Sequence, residues 1–422
     1  MLVKIFGTVF SKTFASVVNF LIVIITAKYL GAAARGEIAL VVLSVSIVAL
    51  FQSIIGGSAL TFFASNHALK RLLTIAIGWS MVVGTVVSVI LAQTGLIPSD
   101  VSLEVLLISL PQGLVLIFQS ILIGRKQILE YNALEFMRSA TLASLVLLVV
   151  MGFEQHDLSW VYTGYVTANV ITAIAGVYFM TRLPKVVSEV TLLPLSKKLF
   201  RFGFQVQLNN ISQMFNYRFV YFVIEKSKGL EVLGVFSVAI SIAETIWIIS
   251  KSISTYQTSL LVNTPDRSKQ ATSTVSFAKM SVFFTAIALI VLLIIPEVFF
   301  ARLFGGQFSV IKMVNVYFAP AILFLAFFGI INHYFYSTNR NDINIYASLL
   351  GNLLTLISAL LLIPSFGLLG AAGTYSIAYF GMLIFMSFAF RSVSGLTWTA
   401  FYPKKDDFNR FLKLLNKHKY TP

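Results

Sequence analysis

Apolar residues run along this chain in blocks of about twenty, each ended by a short cluster of Gly, Pro or charged residues. A helix needs about 20 predominantly apolar residues to cross roughly 30 Å of hydrocarbon, and the blocks match that length. The pattern predicts about twelve membrane helices, near residues 9–29, 38–63, 72–95, 103–123, 136–153, 160–181, 202–224, 231–258, 276–300, 310–336, 343–363 and 368–390. The first two blocks are joined only by Gly31 to Glu37, which predicts a helical hairpin. Soluble helices of this length would carry a polar face, and these do not.

Composition sharpens the picture. Of 422 residues, 58% are hydrophobic and 11% charged, with 38 Phe, and the mean hydropathy is +0.88. So few polar groups cannot cover a soluble domain of this size, so the expected fold class is an all-α polytopic membrane protein. No cysteine is present, which removes disulfides and thiolate metal sites. The first apolar run leads straight into the second without a small-residue cleavage site, so it is read as a span and not as a signal peptide.

The net charge of +15 falls mostly in the links. Nucleic-acid modules cluster bases with aromatics on one face, so no nucleic-acid partner is expected. Links after even-numbered spans, with their flanks, hold Lys70, Arg71, Arg125, Lys126, Arg138, Arg182, Lys185, Lys197, Lys198, Arg201, Arg267, Lys269, Lys279 and Arg340. Links after odd-numbered spans hold only Lys28, Arg35, Lys226, Lys228, Arg302 and Lys312. The Lys/Arg excess marks the cytoplasmic side, which places both termini there.

The longest internal link, 183–200, reads as a cytoplasmic connector between a six-helix bundle over 1–182 and a second over 201–391. A faint repeat supports two halves: Gly36-Glu-Ile-Ala-Leu opens span two and Gly234-Val-Phe-Ser-Val opens span eight. The tail, 392–422, is basic. Phe408, Phe411, Leu412 and Leu415 share one helical face, which predicts an amphipathic helix on an anionic leaflet, and a partly disordered basic tail is the alternative.

Polar groups inside spans are costly and usually meet a cavity or a partner. Span seven is the most polar, with Gln205, Gln207, Asn209, Asn210, Gln213, Asn216 and Arg218. Span eight carries Ser237, Ser241, Glu244, Lys251 and Thr255 on one stripe, and span one carries Lys12, Ser16 and Asn19 on one face. Glu244 and Lys251 are roughly 10.5 Å apart along the helix, too far to pair, so each needs its own partner. Gln112 and Gln119 lie two turns apart in span four. Polar side chains also serve as interhelical packing contacts, and Lys12 and Lys28 read equally as interfacial anchors. The deeper Arg218 and Lys251 are read as cavity residues, suited to a phosphate or pyrophosphate.

No phosphate-binding loop and no His-Glu-x-x-His is present, and the four His are scattered, so neither an enzyme nor a cofactor is expected.

Three segments carry a family resemblance. Ala27-Lys-Tyr-Leu-Gly31 is followed by Arg35-Gly-Glu-Ile-Ala-Leu40. Asn216-Tyr-Arg-Phe-Val is followed by Leu233-Gly-Val-Phe-Ser-Val-Ala239. The third runs Ile-Pro-x-x-Gly-x-x-Gly-Ala-Ala over 363–372, with Gly373 and Thr374. With these the chain resembles the bacterial polysaccharide-biosynthesis flippases, exporters of O-antigen or other lipid-linked oligosaccharides, within the multidrug/oligosaccharidyl-lipid/polysaccharide superfamily. The resemblance covers essentially the whole chain. It implies two six-helix bundles around a V-shaped cavity, and transfer of an undecaprenyl-pyrophosphate-linked sugar unit across the bacterial inner membrane. Lys12, Arg218 and Lys251 would then meet the pyrophosphate, and Asn19, Gln207, Asn210, Gln213 and Asn216 the sugars. Some members carry an acid in span seven, whereas Arg218 has Asn216 and Tyr217 beside it, which leaves Glu244 as the candidate for ion coupling. The implied partners are the lipid-linked oligosaccharide, membrane lipids and, as candidates, a polysaccharide polymerase or glycosyltransferases. A drug/cation antiporter of the same superfamily is the first alternative, disfavoured by the excess of bases. A membrane polymerase or ligase is the second, disfavoured by the short outer links.

Overall fold

The structure is a computed structural model that describes residues 2–97, 101–148, 158–184, 186, 191–262, 264 and 266–402. It is all-helical apart from turns and short 3₁₀ segments. The helices are α1 (Leu2–Gly56), α2 (Ser58–Phe63), α3 (Leu69–Gln93), α4 (Ser102–Gly124), α5 (Ile128–Leu147), α6 (Leu158–Thr181), α7 (Leu192–Val262), α8 (Arg267–Ile294), α9 (Glu297–Phe304), α10 (Ile311–Ser337) and α11 (Asn341–Ser394). Among the described residues, eight helical stretches are long and apolar enough to cross a membrane. Three of these break at one glycine and so supply two arms each, and the more polar α5 completes the expected set of about twelve spans.

The breaks are sharper than the sequence suggested. The turn expected over Gly31 to Glu37 is a single residue. Gly31 sits at φ 83°, ψ 178°, and helix resumes at Ala32. Gly229 repeats this at φ 83°, ψ 176°, and Gly367 breaks α11 at φ 54°. A side chain at positive φ would be strained, so glycine is the residue that permits these one-residue turns. The Ala32 N–H, left without an intrahelical acceptor, donates to the Gln307 side chain at 2.9 Å. Chain reversal is visible in α11, where Gly351 lies against Met382 and Gly381 against Leu354.

Two other boundaries moved. α5 begins at Ile128, not near 136, so Arg138 lies mid-helix and not in a basic link. α7 begins at Leu192, so much of the expected connector over 183–200 is already helical. The predicted amphipathic tail helix, with Phe408, Phe411, Leu412 and Leu415, lies outside the described residues.

The chain divides into two compact units. The first comprises Met1–Met214, Leu230–Ser237 and Leu303–Gln307, and the second Phe215–Gly229, Val238–Arg302 and Phe308–Pro422. Each is organised around a polar junction of three helices. In the first, the buried Gln52 amide donates to the carbonyls of Ser80 on α3 and Ser109 on α4, both at 3.2 Å. Room for that amide comes from Gly84 and Gly113, where a Cβ would stand 2.7 and 2.5 Å from Gln52 Nε2. In the second, Ser281 of α8 donates to Ser250 Oγ at 2.9 Å, and both hydroxyls reach the Ala326 carbonyl of α10. Gln52 and Ser250 are separated in sequence by the same interval as Gly31 and Gly229.

Apolar faces point outward in helical register, for example Ile287, Ile290, Val291 and Ile294 on α8, and Leu349, Leu353, Leu356 and Leu360 on α11. Such stripes suit hydrocarbon and not water. Interhelical hydrogen bonds in membranes average about 0.6 kcal/mol. Gln52→Leu should therefore lower stability by only about 1 kcal/mol, whereas Gly113→Leu, which drives a side chain into Gln52 and Ser80, should cost more. Thermal unfolding in detergent would rank the two.

Candidate functional site

The polar positions of α7 separate into distinct settings. In the first unit, Gln207 is buried and donates to the Ser53 carbonyl at 3.3 Å, and Asn210 donates to Gln207 Oε1 at 3.0 Å. Gln213 is half-buried, and Gln205 is exposed. On α1, Lys12, Ser16 and Asn19 do share one exposed face, and Ser16 bonds back to the Lys12 carbonyl.

In the second unit, Asn216 is 3% exposed and its amide is engaged on both sides. It donates to the Ser348 carbonyl at 3.3 Å and accepts from Thr355 Oγ1 at 3.3 Å. Asn216 therefore ties α7 to α11. Two residues on, Arg218 faces Glu244 on the other arm of the hairpin, with Nη2 to Oε1 at 2.8 Å. Its Nη1 donates to the Tyr221 hydroxyl at 2.7 Å, and the guanidinium lies 5.1 Å from that ring. Glu244 thus has the partner that its position demanded, supplied by the hairpin itself. The side chains are 32% and 46% exposed, so the pair is open to a ligand and is not sealed in the core.

Beside Glu244 lies a small cavity lined by Tyr217, Trp247, Phe318, Tyr375 and Tyr379, with Ile322 at its wall. The Tyr217 ring stands 5.4 Å from Trp247 and 6.2 Å from Tyr379. The Tyr375 hydroxyl is fixed by donating to the Tyr217 carbonyl. Trp247 continues the surface toward Lys251, whose ammonium lies 5.7 Å from the indole. Among the described residues, no carboxylate pairs with Lys251. Arg218, Glu244 and Lys251 together carry one net positive charge, next to aromatic faces. Such a surface can hold an anion through guanidinium and ammonium N–H groups and can stack a sugar or another flat ligand.

Sequence reasoning missed one cluster. In the first unit, Glu135 of α5 accepts from Gln119 of α4 at 2.8 Å and from Arg138 at 3.2 Å. Arg138 lies ten residues into α5, roughly 15 Å along it, and was counted with the flank of a link because the span was placed too late. The signal was Glu-x-x-Arg at i,i+3 inside a helix, the spacing that lets the two side chains meet. A second missed contact joins Tyr162 of α6 to α1, the Tyr162 hydroxyl donating to Glu37 at 2.8 Å. Among the described residues, no group of three His, Asp or Glu could hold a metal.

No protein-family model matches the chain, and no curated protein matches it. Solved structures do. One is the lipid II flippase MurJ in an inward closed conformation, with TM-score 0.72, 13% identity, and coverage of 100% of this chain and 94% of that one. Another is an inward-facing multidrug resistance MATE family transporter of the MOP superfamily, with TM-score 0.68, 14% identity, and coverage of 90% and 94%. A third is a MOP superfamily transporter from Pyrococcus furiosus Vc1, described for the reverse polarity of its binding pocket, with TM-score 0.56, 15% identity, and coverage of 94% and 95%.

Proposed function

We infer that this multi-pass membrane protein, whose fold matches MurJ and MATE structures over nearly its full length, is a transporter. From that premise we propose that it translocates an anionic lipid-linked glycan, an undecaprenyl-pyrophosphate-linked oligosaccharide, across the bacterial inner membrane by alternating access. The observation that carries the reading is the placement of Arg218 and Lys251 beside the aromatic wall of Tyr217, Trp247 and Tyr379. Within the second unit Arg218 and Lys251 attract the pyrophosphate, and within the first Lys12 is a separate candidate for that charge. Asn19, Gln207, Asn210 and Gln213 offer amide groups to sugar hydroxyls, while Asn216 holds α7 in place for Arg218. Both termini lie in the cytoplasm in this reading, following the basic links.

The likeness to MATE transporters and the carboxylate of Glu244 in an aromatic cavity favour a second reading, export of an organic cation. Arg218 already neutralises Glu244, and the remaining Lys251 repels cations, so the anionic substrate is preferred.

The test is a gene deletion with complementation, and measurement of the lipid-linked intermediate on each leaflet. Accumulation of complete repeat units on the inner leaflet is the expected result. Normal translocation in the deletion strain would overturn the proposal and return the organic-cation reading to first place.

A further inference from the structure

In the first unit, α3 and α6 both pack on α4 and leave a groove between them. Its floor is Phe118 and Met180, its walls are Leu73, Ile77 and Val177, and Lys70 stands at its mouth. The open volume is about 560 Å³. The groove does not result from loose packing. Gly176 lies so close to Phe118 that a Cβ there would approach the ring to 2.3 Å, so the floor is fixed by contact. From Lys70 to Ile77 the groove runs roughly 10.5 Å along α3, most of the depth of one hydrocarbon leaflet.

The charge at its mouth is one-sided. Lys70 is exposed and makes no ion pair among the described residues. Arg71 adjoins it, and Arg182, just past the end of α6, stacks at 4.4 Å over Tyr178. No Asp or Glu occurs in the sequence from 38 to 99, from 105 to 129 or from 158 to 188, so α3, α6 and the near end of α4 bring no carboxylate to Lys70. Arg125, the other base at this end, is already used. It donates to the carbonyls of Ala64 and Pro184 at 2.7 Å and of His67 at 3.1 Å, which ties the neighbouring links together. Burial lowers its pKa from the usual arginine value.

We propose that this groove is a binding site for one anionic phospholipid. An acyl chain lies along Leu73, Ile77, Val177 and Met180, and the phosphate meets the Lys70 ammonium with Thr74 and Thr181 beside it. A free phosphate has no use for a deep apolar floor, and a zwitterionic lipid gains less from a mouth to which α3, α6 and the near end of α4 bring no carboxylate. The site stands on the groove and its charges alone, independent of the transported substrate.

The full chain in detergent, titrated with phosphatidylglycerol or phosphatidylethanolamine and read by native mass spectrometry, tests it. Wild type should retain one phosphatidylglycerol at least about fivefold more tightly than phosphatidylethanolamine, the preference expected from one nearby base. Lys70→Gln should remove that preference, Lys70→Arg should keep it, and Val177→Trp should displace both lipids by filling the groove. Lys70 and Val177 are exposed, so these variants should unfold at the wild-type temperature without lipid. Equal retention of the two lipids by wild type, or unchanged selectivity in Lys70→Gln, would overturn the proposal. So would unaltered binding in Val177→Trp, or displacement by glycerol phosphate as effective as by intact lipid.

Discussion

Replacing Gly36 or Gly234 with valine should abolish function and lower the unfolding temperature of the protein, the largest structural effect anticipated for a single change. In the first unit, residues 32–36 and 230–234 cross with their backbones in contact. A Cβ on Gly36 would stand 1.9 Å from the Leu230 carbonyl oxygen, and one on Gly234 would stand 1.8 Å from the Ala32 oxygen. The obstacles are main-chain atoms in the first turns of helices, which cannot rotate aside as a side chain can. The helices must separate instead, and overpacking of this kind costs about 1–3 kcal/mol and sometimes more. Because the two glycines serve one crossing, the double Gly36→Ala, Gly234→Ala variant should lose less than the sum of the singles. The chain has no cysteine, so Ala32→Cys gives a clean reporter at a position 1% exposed. Maleimide labelling of Ala32→Cys should be slow in the wild-type background and rapid with Gly36→Val. Equal labelling rates would show that the crossing opens without help from the substitution.

Arg218→Ala should reduce glycan export by at least about tenfold, corresponding to roughly 1.4 kcal/mol of lost interaction, while leaving the protein in the membrane. Two causes would give that loss, and a double variant separates them. If Arg218 acts only by neutralising Glu244, removing both charges in Arg218→Ala, Glu244→Ala should restore export. If Arg218 meets an anionic substrate, the double variant should stay inactive. The substrate role is the one expected, because the pair is partly open and its Coulomb energy is screened accordingly. Arg218→Lys should recover little, since lysine lacks the planar fork that can hold Glu244, Tyr221 and a phosphate at once. Lys251→Ala should weaken export less, because its ammonium has no carboxylate to leave unpaired. Measurement of repeat units on each leaflet, with protein quantified in the membrane, checks the series. Full export by Arg218→Ala would remove the cationic site from the proposal.

Much of this was legible in the residues. A helix in hydrocarbon must satisfy its backbone internally and show apolar side chains outward, so length and hydropathy alone mark the spans. Arg218, Glu244 and Lys251 were legible as well, because a charge inside an apolar run has few harmless explanations. Boundaries were less secure where a helix carries its own polar cluster. α5 holds Glu130, Glu135 and Arg138 within its first eleven residues, which masked its true start and left Arg138 counted with the flank of a link. Tyrosine and tryptophan gave no signal of their own. Tyr375 and Tyr379 look like ordinary apolar residues of the last span until folding sets them beside Tyr217.

The sequence by itself determined a membrane protein of about twelve helices and which of those helices carry charge inside an apolar run, because both follow from local transfer free energy. Which groups meet was decided by tertiary structure. Gly36 and Gly234 are separated by most of two hundred residues, and nothing local says that each receives the other helix's carbonyl. The pairing of Arg218 with Glu244, the capping of Ala32 by Gln307, and the groove over Phe118 likewise depend on how arms are packed, and packing is a property of surfaces that come together only when the chain folds.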